Sequence, residues 1–217
     1  MDKKNPISEI TDSLYKAFSI LNERLFDSVL ANPVITIQKE KKNTLGTFAT
    51  KPTWFKKDDE SICYHEININ PLYLNEDYID ILSVLVHEMC HMYNSQNNIK
   101  DTSGKKHNKK FKAIAEQVGL KDADDNDNWG YTTASGALKE CFKDIGEDII
   151  EVLNTCVYLN DDVYNNPPKK RKKTIFKYIC PSCGMVVKAK AEKNIVCGAC
   201  EMQLEMEEVE DEEEEQG

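Results

Sequence analysis

The sequence predicts an α+β protein in two parts, a larger domain over residues 1–160 and a small cysteine-rich module over residues 174–206. The chain has 217 residues, which suits one domain of ordinary size and one small module. A long apolar segment and a shorter amphipathic segment indicate two helices in the larger domain. A strand pattern at residues 185–190 lies between two pairs of cysteines near the C-terminal end.

The first helix is indicated by the run from Tyr78 to Val86, which is almost wholly apolar and stays largely apolar to residue 92. Such a helix is expected at the centre of a fold, because apolar side chains on all its faces must be buried. The second helix fits residues 108–118, and Gly119 follows at a C-cap position. A polar stretch with strong turn signals separates the two.

The central helix contains the sequence His87-Glu88-Met89-Cys90-His91. Residues four apart lie one above the other on a helix, so both imidazoles can reach one metal ion. Glu88 projects about 100° round from His87, where it can reach a water molecule without joining the ligands. This pattern is typical of zinc peptidases. The alternative is a core helix with two incidental histidines.

A catalytic zinc requires a third protein ligand and one open position. The extended metzincin pattern is excluded, because Asn94 and Asn97 stand where it requires Gly and His. His107 and Glu116 remain as candidates. His107 is favoured, because it lies at the start of the second helix and can be directed back at the first. Glu116 points away from the apolar stripe of its helix and fits a solvated side chain better.

Four cysteines form two CxxC pairs that are separated by thirteen residues: Cys180 and Cys183, then Cys197 and Cys200. Each pair is expected to form a tight knuckle, and two knuckles close a tetrahedral zinc site. Four thiolates leave no open position, so this zinc ribbon is predicted to be structural. A module of this size cannot bury a sufficient core, so metal binding would supply its folding energy.

The remaining cysteines (Cys63, Cys90, Cys141 and Cys156) lack ligand spacing and are predicted to fill the core. A disulfide framework is disfavoured, because the N-terminal residues carry no secretory signal. No run of 18 apolar residues exists, so no membrane span is expected. A cytoplasmic protein is predicted, with association with the nucleoid as a further option.

These motifs together resemble the SprT and Spartan group of metallopeptidases. In that group, an HExxH helix is followed by a loop of about fifteen residues and a histidine before a short Phe-containing helix. Three upstream segments also resemble the group: residues 14–26 its first helix, 45–48 a strand with a small residue, and 66–74 the strand and turn before the active helix. The resemblance covers about residues 10–120.

The resemblance implies a zincin-like (minigluzincin-type) domain in which His87, His91 and His107 bind a catalytic zinc and Glu88 is the catalytic residue. Members of the group often carry a C-terminal zinc ribbon. In Spartan-like proteins a zinc-containing subdomain contacts DNA. The resemblance therefore also implies DNA as a partner and DNA-bound or DNA-crosslinked proteins as substrates.

The charge distribution bears on DNA binding. The net charge is −10, but residues 201–217 contain ten acidic residues and no basic ones, so the rest of the chain is neutral. Residues 207–217 are predicted to be a disordered acidic tail. Residues 161–173 are predicted to be a Pro- and Lys-rich linker with five consecutive cations at 169–173. This linker and the ribbon are expected to bind phosphates, although a merely solvated linker is the alternative.

The predicted activity is that of a zinc endopeptidase in which Glu88 takes a proton from water and passes it to the leaving amine. Tyr93 lies near the site by spacing and is a candidate for stabilising the oxyanion. The substrate is expected to pair with an exposed strand within 44–50 or 62–69. Two rival functions are a non-catalytic DNA- or protein-binding protein, and a generic peptidase whose ribbon recruits a partner.

Overall fold

The computed structural model places the chain in two compact units, residues 1–164 and 165–217. The predicted basic linker and residues 208–217 of the predicted acidic tail lie outside the described residues. The structure describes residues 5–41, 43–104, 106–123, 129–155, 175–190 and 193–207.

Five α-helices and one 3₁₀ helix lie among the described residues of the first unit, and α2 and α3 contain the two helical patterns of the sequence. Asp77 begins α2 by accepting hydrogen bonds from the N–H groups of Ile79 and Asp80. The α-helices are α1 (Pro6–Phe26), α2 (Tyr78–Gln96), α3 (Lys109–Gln117), α4 (Gly136–Lys143) and α5 (Glu147–Thr155), and the 3₁₀ helix is Pro71–Asn75.

Nine short strands accompany these helices. Three of them form a sheet in the order β1-β5-β2, in which β1 is parallel and β2 antiparallel to the central β5. The other six form three hairpins. The strands are β1 (Val34–Ile37), β2 (Gly46–Phe48), β3 (Trp54–Lys56), β4 (Asp59–Tyr64), β5 (Glu66–Ile69), β6 (Thr102–Ser103), β7 (Lys106–His107), β8 (Leu120–Asp122) and β9 (Thr132–Ala134).

The core of the first unit is built around α2. This helix contacts α1 and α3 as well as β2, β5 and β9. Leu82, Leu85 and Met89 of α2 are fully buried, as are Ile67 and Ile69 of β5. Each such side chain contributes about 1.5–3 kcal/mol relative to an exposed one. The apolar run of the sequence is therefore a central helix, and its HExxH segment lies among buried side chains.

The structure corrects one prediction about the strands. Residues 62–69 are not one exposed strand, because β4 ends at Tyr64, β5 begins at Glu66, and both edges of β5 are paired. Their prediction as a substrate-binding strand is wrong for β5. The apolar positions Ile145, Ile149 and Leu153 predict a helical region after residue 128, and α4 and α5 lie there; the β8–β9 hairpin was not predicted.

The second unit is a small antiparallel sheet with the strand order β11-β10-β12. Among the described residues of this unit, the buried side chains are few: Phe176, Tyr178, Cys180, Cys197 and Leu204. Two of these five are cysteines of the CxxC pairs. The strands are β10 (Ile175–Ile179), β11 (Val186–Lys190) and β12 (Glu205–Glu207).

Within the described part of the chain, no helix combines the length and the apolar character that crossing a membrane requires.

Candidate metal centres

Three histidines meet at the surface of α2 that faces α3. His87 and His91 lie one turn apart on α2, and His107 comes from β7, two residues before α3 begins. The ring centroids are 4.9–5.1 Å apart. One nitrogen atom of each ring lies within 4.8 Å of the other two. The structure thus brings together the three histidines that the sequence singled out.

The chemistry of this group fits zinc. The Nε2 atoms of His91 and His107 are 3.0 Å apart. Zinc binds imidazole nitrogen at about 2.0–2.1 Å, so two ligands of a tetrahedral site have nitrogens about 3.3 Å apart. Burial, followed by the nearby His91 and His107, holds the pKa of His87 well below its ordinary value. His87 is therefore neutral, which metal binding requires.

Phe111 holds the three rings together from the side of α3. Its ring centroid is 4.6 Å from that of His87, 4.5 Å from His91 and 4.2 Å from His107. Phe111 is fully buried. The side of its ring that touches the histidines is an apolar wall, which limits the orientations open to them.

Two further residues, which the sequence analysis missed, fix the second nitrogen of the α2 histidines. The Nδ1 atom of His91 lies 2.6 Å from Oδ2 of Asp101, and the Nδ1 atom of His87 lies 3.0 Å from the hydroxyl of Thr132. Asp101 is 10 and Thr132 is 45 residues from its histidine along the chain. No local pattern marks such partners. The proline- and glycine-poor turn at 99–103 gave no sign that one of its side chains is buried.

The charges around His91 act on one another. Burial alone lowers the pKa of His91, but the hydrogen bond to Asp101 and the negative charges of Glu88 and Asp101 raise it above its ordinary value. Burial alone raises the pKa of Asp101, but the hydrogen bonds from His91 and Asn94 lower it. Asp101 is therefore a carboxylate, which can only accept, and the Nδ1 atom of His91 carries the hydrogen.

Glu88 lies beside the histidines but outside their group. Its side chain is only 4 % exposed. Burial raises its pKa to about 7; the charge of His91 lowers it and that of Asp101 raises it further. Gly46 of β2 lies against it, since a Cβ atom at position 46 would be 3.1 Å from Oε1 of Glu88 and 2.8 Å from Val84. The absence of a side chain at Gly46 thus gives the strand its close approach to the glutamate.

An open cavity of about 450 Å³ lies over this site. Glu88 and all three histidines line it, together with β2 and the segment Gly130–Thr132. Tyr131 is on its wall and donates a hydrogen bond to the carbonyl of Asn43, at 2.9 Å. Tyr93, the tyrosine favoured from spacing, is not among the lining residues and instead packs against Phe26 with ring centroids 5.9 Å apart.

The other candidate ligand, Glu116, is exposed on α3 and lies 3.9 Å from Lys112 as an i,i+4 pair. It is not in the histidine group.

The comparisons with known proteins agree with this geometry. The family model of the SprT-like family matches residues 14–128, more than half of the chain. The chain belongs to the SprT-like family. The match covers α1 to the segment after β8 and includes all three histidines and Glu88, so the resemblance drawn from the motifs is confirmed. No curated protein and no solved structure shows significant similarity to the chain.

Beyond the SprT-like match, the four cysteines of the CxxC pairs form a second group of possible ligands, with sulfur atoms within 4.8 Å of one another. The Sγ atoms of Cys183 and Cys197, which belong to different pairs, are 3.7 Å apart. Backbone N–H groups of Cys183 and Ser182 lower the pKa of Cys180 to about 7, whereas hydrogen bonds with the neighbouring thiols of Cys200, Cys180 and Cys197 raise that of Cys183. The arrangement is compatible with a zinc ribbon, since thiolates are the form that binds zinc.

The two knuckles have the same backbone geometry. Cys180 donates its N–H to the carbonyl of Met185, and Cys197 donates to that of Met202, five residues on in each case. The residue four positions after each cysteine has a left-handed conformation: Gly184 at φ 71° and Glu201 at φ 52°. Gly198 lies in the second turn, but Glu201 adopts the strained conformation there.

The cysteines outside the CxxC pairs differ from one another. Cys90 of the SprT-like domain is fully buried in α2, and Cys141 is half-buried. Cys63 in β4 is exposed, so its prediction as a core residue is wrong. Every residue of β3 and β4 is exposed, so an apolar residue there need not be covered. Cys156 lies outside the described residues.

Proposed function

We propose that the chain is a zinc-dependent endopeptidase with a zincin-like fold of the minigluzincin type. The observation that carries this proposal is the convergence of His87, His91 and His107 beside a buried glutamate at the floor of an open cavity. Three imidazole ligands leave a fourth position of a tetrahedral zinc free, as catalytic rather than structural sites require. The SprT-like family is regarded as a zinc peptidase family, which supports the same reading.

Zinc held by the three histidines would supply Lewis-acid polarisation of the scissile carbonyl and an acidified water. Glu88 accepts the proton of the attacking water and transfers it to the leaving amine. Its pKa of about 7 suits both steps, because a group that titrates near neutral pH can accept a proton and release it again. His87, whose pKa burial holds well below its ordinary value, keeps a nitrogen lone pair available to the metal.

The substrate polypeptide would lie along β2. This strand is at the edge of its sheet, and its residues Gly46, Thr47 and Phe48 line the cavity. An extended peptide can add to such an edge through main-chain hydrogen bonds. Tyr131 takes the place of Tyr93 as the tyrosine that the substrate would meet, because Tyr131 lines the cavity and Tyr93 does not.

The four cysteines would hold a structural zinc. The substrates would be DNA-associated or DNA-crosslinked proteins. In the described residues, Lys177 of β10 is directly opposite Lys188 of β11 and, on its other side, opposite Glu207 of β12. Lys177 and Lys188 would be the contacts for DNA phosphates. The cationic run at 169–173 would add to this surface.

The test of the catalytic proposal is Glu88→Gln in the full chain. We expect zinc at the histidine site to be retained and peptide cleavage to fall by about 10²–10⁴-fold, since an amide cannot accept the proton. Zinc content is measured by elemental analysis and cleavage with a casein substrate. Glu116→Gln is the matched control, because Glu116 is exposed and outside the histidine group. Substantial residual cleavage by Glu88→Gln would rule out the mechanism.

The substrate class is tested with casein and a DNA-bound protein, each with no DNA, single-stranded DNA or duplex DNA. Cleavage that requires DNA supports the DNA-associated class. Cleavage of both proteins without DNA favours a generic peptidase, and no cleavage under any condition favours a non-catalytic binding protein.

A further inference from the structure

We propose that Asp101 is the positioning residue of the histidine site: it orients His91 and ties α2 to the turn that carries His107. This inference rests on the proposed zinc site. It concerns metal binding rather than catalysis, and its test does not depend on peptide cleavage.

The side chain of Asp101 is directed at α2. This side chain is only 10 % exposed, and its Oδ2 lies 2.6 Å from Nδ1 of His91. The same oxygen accepts a hydrogen bond from the amide of Asn94, at 3.3 Å. Asn94 is three residues after His91 and is also buried. Both partners thus come from one face of the last turns of α2, and they fix the carboxylate against that helix.

The backbone of Asp101 is directed at α3. Its carbonyl accepts a hydrogen bond from the N–H of Asn108, at 2.9 Å, and the Asn108 side chain donates to the carbonyl of Lys100, at 3.0 Å. Asn108 is the N-cap of α3 and follows His107 directly. Thr102, the residue after Asp101, pairs with His107 in the β6–β7 hairpin. Asp101 is therefore held by its main chain to the segment that supplies the third imidazole.

These two sets of contacts link His91 and His107 through one residue. His91 and His107 belong to different elements, yet their Nε2 atoms are 3.0 Å apart. With Nδ1 of His91 occupied by the carboxylate, Nε2 is the nitrogen that remains for a metal. A carboxylate partner fixes the tautomer of a ligating imidazole, sets the orientation of the ring and increases its electron donation.

Thr132 offers an internal comparison. Its hydroxyl makes the equivalent contact with Nδ1 of His87, at 3.0 Å, but it is neutral and belongs to β9. Charge-assisted hydrogen bonds are shorter and about twice as strong as neutral ones. Asp101 should therefore contribute more to zinc affinity than Thr132 does.

The test compares Asp101→Asn, Asp101→Ala and Asn108→Ala in the full chain. Asp101→Asn keeps the shape and an acceptor but removes the charge, and Asp101→Ala removes both. Asn108→Ala loosens the turn and the N-cap of α3 without changing the carboxylate at His91. Folding of each variant is checked by circular dichroism and thermal unfolding.

Zinc affinity of the histidine site is measured by competition with a chromophoric chelator. We expect a 10–100-fold loss for Asp101→Ala and a smaller loss for Asp101→Asn. Asn108→Ala should lower the melting temperature and cause a smaller loss of zinc affinity than Asp101→Ala, because it loosens the turn that carries His107 but leaves the carboxylate at His91. Wild-type affinity in both Asp101 variants, or an equal loss in Asn108→Ala, would overturn the proposal.

The spectroscopic readout is ¹⁵N NMR of the imidazoles in the zinc-loaded protein, which has only four histidines to assign. We expect wild-type His91 to show a protonated Nδ1 and a metal-bound Nε2, and Asp101→Ala to lose that fixed pattern while His87 retains it. An unchanged His91 spectrum in Asp101→Ala would refute an orienting role. If zinc affinity and the His91 spectrum change as expected but no variant shows reduced cleavage, the result would count against the proposed function and not against the positioning role of Asp101.

Discussion

Each unit has a group of possible metal ligands, three histidines in the first and four cysteines in the second, but the two groups are held in place differently. In the first unit the histidines are placed on a helix, a hairpin and the core that surrounds them, and the apolar side chains of α1, α2, α3 and the sheet are buried without any metal. In the second unit two of the five buried side chains are themselves cysteines of the CxxC pairs. The core of the first unit forms without its ligands, whereas the ligands of the second unit are part of its core.

The difference fits the proposed roles, in which the first site is catalytic and the second is structural. A site that the core already holds can leave a coordination position open, because nothing in the fold depends on filling it. A site whose ligands replace the core must use every one of them to close the shell. The difference makes separate predictions for each unit.

Metal removal should have the largest effect, and only on the second unit. With excess chelator, residues 175–207 should unfold, because structural zinc supplies about 10–16 kcal/mol in small modules of this kind. The first unit should keep its fold. The measurement is a ¹H–¹⁵N correlation spectrum of the full chain before and after chelation. Retained dispersion for the ribbon amides would break the comparison.

The same effect can be reached without a chelator. Cys197→Ser should release one zinc equivalent and unfold the second unit only, since Cys197 is fully buried in the thiol cluster. Cys63→Ser is the control, because Cys63 is exposed and outside the cluster. Loss of the first unit's spectrum in Cys197→Ser would show that the two units are not independent.

Phe111→Ala should have the next largest effect and should lower both the stability and the zinc affinity of the first unit. Removing a fully buried phenylalanine costs about 3–5 kcal/mol in the free energy of unfolding. It should also weaken zinc binding, because this ring touches all three histidines. Urea unfolding and chelator competition measure the two quantities.

Phe142→Ala is the matched control for that experiment. Phe142 is fully buried in α4 and belongs to the same core, but it has no ring contact with the histidines. We expect a comparable loss of stability and unchanged zinc affinity. Equal zinc affinity in both variants would mean that the core does not orient the ligands.

Gly46→Ala should have the smallest effect on stability, about 1–3 kcal/mol, but a clear effect on cleavage. The new methyl group would lie 2.8 Å from Val84 and 3.1 Å from Oε1 of Glu88, so the strand or the glutamate must move. Gly130→Ala is the control, since Gly130 lines the same cavity and a Cβ there meets no atom within 4 Å. Equal cleavage rates in the two variants would contradict the expected role of the close approach.

The sequence predicted the parts of the site that have a fixed spacing. His87, Glu88 and His91 follow from helical periodicity, and the CxxC pairs from their own repeat. His107 could be singled out because it precedes an amphipathic helix with a clear start and end. Each of these patterns lies within a short stretch of sequence, so it can be recognised without knowing how distant parts of the chain fold.

The residues that the sequence did not reveal act across the fold. Asp101 and Thr132 reach their histidines only because a turn and a hairpin fold back on α2. Tyr93 was favoured by its nearness in sequence, but a residue two positions after His91 points to another face of the helix. Tyr131 lines the cavity although 40 residues separate it from His91, and its position depends on β9.

The short edge of the sheet has a consequence for how the protein behaves in solution. An unpaired strand invites other chains to continue the sheet, and long, flat edges are where aggregation starts. The open edge of β2 is only three residues long and carries the glycine that lies against α2. An edge of this length can make a few main-chain hydrogen bonds with a passing polypeptide and then let it go, yet it offers too little to template a growing stack of identical molecules.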